Sequence, residues 1–326
     1  MRALVTGSNG FIGSFLVERL LDKDWKVRCL VRKTSNLRWL EGLDIELAYG
    51  EMFDISSLHG AVKNADVVFH LAGVTKGKSE QDYIRGNYQA TINMLKACQD
   101  SGGASKKFIL ISSQAAGGPS RDNSPLSEEE ATSPISAYGR SKKMAEQAVL
   151  EYSQQHPATI IRPPSVYGPR DIDFLQLFKI VNRGVIPKPG GGNQKISIIH
   201  VQDLVDGILQ TAEKEIANGE IFFLSHDQPA TFDELGRIVA DALGTKAITL
   251  PIPLWAIQGA SLISSGFSKI SGRPALLNKD KVLEMKQPAW LCSAAKAQKL
   301  LGFQAKIDLI EGMKQTAEWY KNIGWL

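Results

Sequence analysis

Tyr138 and Lys142 stand four residues apart in Tyr138-Gly139-Arg140-Ser141-Lys142, just after Ser133-Pro134, and apolar residues follow at Met144, Ala145, Ala148 and Val149. That pattern predicts a helix with the phenol and the ammonium on one face. A phenol with an ordinary pKa of about 10 is a poor acid–base group at neutral pH, and a fixed cation beside it would favour the phenolate and draw its proton affinity toward the working range. Lys143, turned by about 100°, is expected in solvent. A hydroxyl joins the pair. The buried-strand run Phe108-Ile109-Leu110-Ile111 ends in Ser112-Ser113, followed by Gln114-Ala115-Ala116-Gly117-Gly118, so a serine at the crevice end of a strand can donate to a substrate oxygen. The plain alternatives are a surface Tyr–Lys pair and serines that only shape a turn.

Such groups need a platform and a reactant. Near the start of the chain, Val5-Thr6-Gly7-Ser8-Asn9-Gly10-Phe11-Ile12-Gly13 runs from an apolar strand through three glycines into the helical periodicity of Phe15, Leu16, Val17, Leu20 and Leu21. Gly7 allows the tight bend, Gly10 lets backbone N–H groups approach a pyrophosphate, and Gly13 lets the helix pack closely on its strand. Strand-like runs at 3–5, 26–31, 45–48, 67–71, 108–111 and 159–161 alternate with helical stretches at 13–21, 83–98 and 138–152. The alternation predicts a parallel, doubly wound α/β sheet whose strand ends share one crevice. After Pro163-Pro164 the character changes, and prolines and glycines cluster. There a substrate-binding appendage is expected to begin, with Gly190-Gly191-Gly192 as a hairpin-type turn before Ile196-Ser197-Ile198-Ile199 rather than a second phosphate loop.

The 326 residues, 43% of them hydrophobic, can bury a large core, and a net charge of +4 without a long run of like charge gives no sign of nucleic-acid binding. Cys29, Cys98 and Cys292 lie far apart, which reads as reduced thiols in a cytoplasmic protein. The first strand starts at Arg2, leaving no room for a cleavable leader. The most apolar window, 252–263, contains Pro253 and Gln258 and is shorter than the ~18 residues of a membrane span. No metal site is expected, because His59, His70, His156, His200 and His226 stand far apart. His70 and His200 read as hydrogen-bonded structural residues.

Together these pieces resemble the extended short-chain dehydrogenase/reductase family. They are Thr6–Gly13, Asp66-Val67-Val68-Phe69-His70-Leu71-Ala72-Gly73, Asn87, Ile111-Ser112-Ser113, Tyr138 with Lys142, Ile161-Arg162-Pro163-Pro164-Ser165-Val166-Tyr167-Gly168-Pro169, and His200-Val201-Gln202-Asp203-Leu204. The resemblance covers nearly the whole chain and implies a Rossmann-type sheet with a smaller C-terminal substrate-binding domain. Residues 1–166, with 196–226 returning to them, would bind the dinucleotide, and 167–195 with 227–326 the substrate. By the same resemblance Tyr138 is the general acid/base, Lys142 holds the nicotinamide ribose and tunes Tyr138, and Ser113 polarises the reacting carbonyl or carbinol. Cofactor contacts are implied for Gly7, Asn9, Gly10, Phe11, Ile12, Gly13, Arg32, Lys33, Glu51, Met52, Leu71, Ala72, Gly73, Asn87, Pro163 and Ser165. A homodimer through the helices at 83–98 and 138–152 is the family's usual assembly.

NAD-preferring dinucleotide folds carry an acidic residue about 20 residues past the glycines. This chain has Arg32-Lys33 there, two cations suited to a 2′-phosphate, which favours NADP over NAD. Family members acting on nucleotide sugars usually carry an Asn at the position of Ser165 and an Arg at that of Ile196, with Lys195 facing the opposite side. The chain is therefore similar to the 3β-hydroxysteroid dehydrogenase and dihydroflavonol reductase branches, and the apolar stretch Leu254-Trp255-Ala256-Ile257, Leu262-Ile263 and Phe267 is expected either to line a pocket or to pack in a core. The expected activity is hydride transfer between a nicotinamide and a carbonyl or hydroxyl carbon of a small, apolar molecule. A nucleotide-sugar epimerase or dehydratase is the alternative, and a non-catalytic dinucleotide sensor, which would have no need of Ser113, Tyr138 and Lys142, is the second.

Overall fold

Seven parallel strands form the central layer of the structure, a computed structural model that describes residues 1–101, 107–121, 123–271 and 279–326. The side chains at 262–263, 265–271 and 279 fall outside that description, and with them Leu262, Ile263 and Phe267. The strands are β1 (Arg2–Thr6), β2 (Lys26–Val31), β3 (Ile45–Tyr49), β4 (Val67–His70), β5 (Lys107–Ile111) and β6 (Ala158–Arg162), with Ile221–Phe223 added on the far edge. Their spatial order is Ile221–Phe223, β6, β5, β4, β1, β2, β3. Chain direction across the sheet reverses between β1 and β4, and at such a switch point the strand C-termini open a crevice. Central strands read as unbroken apolar runs because both faces are covered.

On one face pack α1 (Phe11–Leu21) and the helix Val201–Glu213, which bury Leu16, Val17, Leu20, Leu204 and Ile208 against β1, β2 and β4. The other face carries α2 (Ile55–Val62), then α3 (Glu80–Tyr83), a π-helical turn Ile84–Gln89 and α4 (Ala90–Asp100) in one continuous run, and, after α5 (Gln114–Gly117), the long α6 (Ala137–Ser153). Leu58, Met94, Leu95, Ala145 and Val149 form the core there. Each fully buried aliphatic or aromatic side chain contributes on the order of 1.5–3 kcal/mol. The helical run expected at 83–98 is thus present, but its first part is wound with i→i+5 bonds, a difference that apolar periodicity does not report.

A separate core gathers Tyr167, Phe178, Ile186, Leu235, Val239, Met313 and Tyr320 from the C-terminal elements. Three small sheets surround it. Ser165–Tyr167 pairs with Ile198–His200, Val185–Pro189 with Ile248–Ile252, and Lys195–Ile196 lies between Ala230–Thr231 and Ala289–Trp290. The triple glycine is therefore a turn but not a hairpin, since the strands before and after it belong to different sheets. All three glycines adopt positive φ. The run expected as one strand at 196–199 is likewise split between two sheets at Ser197.

Candidate active site

Tyr138 enters the crevice from the first turn of α6. Ser136 caps that helix, its hydroxyl accepting from the Gly139 amide at 3.2 Å, and the Asp280 carboxylate accepts from the Ala137 amide at 2.7 Å. The phenol ring packs edge-on against Tyr83 with centroids 6.1 Å apart. At the end of β5, Ser113 caps the short α5 by accepting from the Ala115 amide at 3.2 Å, and it lines the same cavity as Tyr138. Ser112 turns the other way, donating to Glu146 at 2.5 Å. The alternation of side chains along an extended segment separates these neighbours.

Lys142 lies one turn along α6, 6% exposed, and its Nζ donates to the Ile111 carbonyl at 2.7 Å. A Cβ added at Gly73 would sit 3.6 Å from that Nζ, so the ammonium borders the loop after β4. Burial lowers the Lys142 pKa to about 8, against the pull of the Glu146 carboxylate a further turn along. Glu146 itself is held in a buried ion pair with Arg162, at 2.9 and 2.7 Å. It carries no role in the sequence reading, although Tyr138, Lys142 and Glu146 follow one another at four-residue steps on a single helix face. Sequence spacing was the available signal.

The expected lowering of the Tyr138 proton affinity is not found. Burial instead pushes the phenol up to about 12, opposed by the Ser113 hydroxyl and reinforced by the Glu284 carboxylate. Desolvation outweighs any help from an ammonium directed at Ile111. Tyr138 is consequently a neutral phenol, a proton donor, over the physiological range. Lys143 also departs from expectation, since it is half-buried and its Nζ reaches the Thr132 carbonyl at 3.5 Å.

The glycine turn leaves the N-terminus of α1 open, with Gly10 at the cap, no side-chain cap and no acidic residue in the first turn. Gly7 has φ +68°, and a Cβ there would lie 2.8 Å from the Ala72 amide nitrogen; one on Gly13 would collide with the Gly7 carbonyl oxygen. Backbone amides at a bare helix end make a site for a phosphate group. Gly7, Asn9, Gly10, Arg32, Glu51, Met52, Leu71, Ala72 and Gly73 all line a cleft of about 480 Å³. Ser35 lines it too and accepts from the Arg32 amide at 3.1 Å. Among the described residues the Arg32 side chain forms no ion pair. These features fit a dinucleotide.

Other expected cofactor residues do not bring their side chains to that cleft, although the Phe11 and Ile12 amides stand at the open helix end. Lys33 is exposed and does not line the cleft, Phe11 and Ile12 turn their side chains to the core of α1, and Pro163 is buried, its carbonyl accepting from Gln114. Asn87, in the π turn, uses its whole amide: Oδ1 accepts from the Val74 amide at 2.7 Å, and Nδ2 donates to the Val74 carbonyl and to Ser141 Oγ. It fastens the loop after β4 to α6. His70 accepts from or donates to Thr6 at 2.9 Å and His200 accepts from the Gln202 amide at 3.4 Å, as structural residues would.

Ser113, Tyr138 and Ser165 instead face a second cavity of about 220 Å³, whose far walls are Ile196, Phe232, Met285 and Trp290. Lys281 and Glu284, paired at 2.8 Å, supply its charges. Leu254, Trp255, Ala256 and Ile257 are not part of that wall. Ile257 is buried while Trp255 is 75% exposed, so neither expectation holds for the whole stretch.

Residues 3–224 match the model of the NAD dependent epimerase/dehydratase family. The chain belongs to that family, and with it to the enzymes of the extended short-chain dehydrogenase/reductase type. It is 28% identical over 323 residues to ceramide reductase of Caulobacter vibrioides, covering 99% of this chain and 95% of that one. It is 30% identical over 328 residues to UDP-glucose 4-epimerase of Vibrio cholerae, covering 97% and 94%. The fold superposes on UDP-glucuronic acid 4-epimerase of Bacillus cereus, solved with UDP-glucuronic acid and NAD, with a TM-score of 0.80, 23% identity and 99% and 100% coverage.

Proposed function

We propose that this enzyme is a reductase or dehydrogenase that transfers a hydride between NADP(H) and a carbonyl or hydroxyl carbon of a small, apolar substrate. The observation that carries the reading is the convergence of Ser113 and Tyr138 on one cavity, with Lys142 buried beside the cofactor-side loop at Gly73. When bound, the nicotinamide supplies or accepts the hydride. The neutral Tyr138 phenol gives its proton to the substrate oxygen in reduction, and Ser113 donates a second hydrogen bond to that oxygen. Two donors aimed at a developing oxyanion account for a large share of such catalysis. Lys142, whose Nζ borders the loop at Gly73, would hydrogen-bond the ribose hydroxyls and keep positive charge behind the phenol. Arg32, which forms no ion pair among the described residues, and Ser35 would meet the 2′-phosphate.

The apolar walls Ile196, Phe232, Met285 and Trp290, in place of a cation at 196, support a substrate poor in charge, and so does the likeness to a ceramide reductase. The return of Ile221–Phe223 to the main sheet and the separate C-terminal core support a division into a dinucleotide unit (1–166 with 196–226) and a substrate unit (167–195 with 227–326). The protein works in the cytoplasm as a homodimer, joined through α4 and α6. A second reading, nucleotide-sugar epimerase, draws on the relative at 30% identity. Following reduced-nicotinamide absorbance with apolar ketones and with UDP-sugars tests both: net consumption of NADPH with a ketone supports the reductase, and UDP-sugar interconversion without net consumption overturns it.

A further inference from the structure

The strands Val185–Pro189 and Ile248–Ile252 pair in parallel with Val185 opposite Ile248, Pro187 opposite Leu250 and Pro189 opposite Ile252. Side chains opposite one another share a face, and alternate residues along a strand share it too. One face of this two-stranded ribbon therefore presents six apolar residues and no polar one. The other face carries Ile186, buried against Gly236 of the helix Phe232–Leu243, together with Lys188, the exposed Pro251, and Thr249, whose hydroxyl approaches Asp233. The apolar face looks outward: Ile248 is 71% and Leu250 49% exposed, and Val185, Pro187, Pro189 and Ile252 are half-exposed. At the ribbon's end stands Trp255, 75% exposed. A contiguous apolar patch of this kind marks a contact surface.

Charge selects the partner. Between Asp241 and Asp280 the chain has no carboxylate side chain at all. Lys246 is exposed just before the second strand of the ribbon, and Arg183 just before the first. Asp233, which Thr249 approaches on the far face, is paired with Arg237 at 2.9 Å. Aliphatic side chains and a tryptophan bordered by cations are the composition that seats a protein in the headgroup layer of an anionic bilayer. No described helix is long and apolar enough to cross a membrane, so the contact is a peripheral one.

We propose that the ribbon face of Ile248 and Leu250, with Trp255, docks the enzyme on the surface of an anionic lipid membrane. The face is separate from the Ser113–Tyr138–Lys142 site, so the inference stands or falls independently of the catalytic reading. Co-sedimentation of the full chain with phosphatidylserine-containing vesicles, against pure phosphatidylcholine vesicles, tests it. Binding is expected to be at least about tenfold stronger with the anionic lipid and to weaken at about 0.5 M salt, where the Debye length is ~4 Å. Both Leu250→Ser and Trp255→Ser should lose vesicle binding about tenfold while keeping wild-type thermal stability and dinucleotide binding, because both side chains are exposed. Equal sedimentation with neutral and anionic vesicles, or unchanged binding by both variants, would overturn it. So would sedimentation-velocity evidence that Leu250→Ser abolishes self-association of a protein that ignores vesicles, since the face would then join two copies of this chain.

Discussion

The Ser112 hydroxyl donates to Oε1 of Glu146, the carboxylate that also holds Arg162 in a buried pair, while Ser113 turns to the phenol of Tyr138. Two adjacent serines thus serve different ends. Ser113→Ala should lower kcat about 10²- to 10³-fold at nearly wild-type stability. Ser112→Ala should leave kcat within a few-fold and cost about 1.5–3 kcal/mol in urea denaturation, the value of a hydrogen bond to a charged group. Reversed outcomes would exchange the two assignments.

Tyr138→Phe should abolish turnover while dinucleotide affinity, measured by fluorescence titration, changes little. The phenol is a neutral donor well past pH 8, so ketone reduction should not fall off through loss of its proton until far more alkaline pH. A variant that retains most of its activity would remove Tyr138 from the chemistry.

Lys142 is lowered from 10.5 to about 8 by burial. Below pH 8 both folded and unfolded chains hold its proton, and the folded one carries a poorly solvated charge. Between about 8 and 10.5 only the unfolded chain binds that proton, so raising the pH shifts the equilibrium toward the folded form. Above that window neither state is charged. Compared with Lys142→Met, the cofactor-free wild type should therefore gain relative stability from pH 8 to 10, read from urea midpoints at each pH. A flat difference would show that the ammonium is solvated.

Arg32→Ala should raise the KM for NADPH about tenfold or more and alter that for NADH little, since a charge-assisted contact to phosphate is lost with the guanidinium. Lys33→Ala, outside the cleft lining, should have a smaller effect. Equal penalties with both cofactors would argue against a 2′-phosphate contact.

Gly13→Ala drives a methyl group into the Gly7 carbonyl, backbone against backbone. Neither partner is a flexible side chain that can swing aside. The expected result is a loss of about 1–3 kcal/mol or more and failure to bind either dinucleotide. Gly10→Ala, where the nearest contact is 3.2 Å, should be milder.

The elements of the first half were legible because their sequence signals are local: apolar runs for strands, glycines at the turn, Tyr138 and Lys142 one helical turn apart. What escaped depended on partners distant in the chain. Lys143 finds the Thr132 carbonyl, Asn87 is consumed by Val74 and Ser141, and the Tyr138 phenol is governed by desolvation that spacing does not express. In the C-terminal unit, Ser197 divides an apparently continuous strand and the triple glycine connects separate sheets, because short strands there take partners by tertiary packing. Trp255 shows the same limit, since apolar character alone does not separate a core position from an exposed one.

The π turn at Ile84–Gln89 winds its backbone with one more residue than a regular turn of the same height. Removing a single residue from this segment would restore ordinary winding yet swing Asn87 roughly 100° around the axis, releasing the loop that borders Lys142. Homologues or engineered variants that shorten the chain here therefore cannot keep the same anchor, and a gap in that stretch becomes a usable marker for descendants that have rebuilt or abandoned the site.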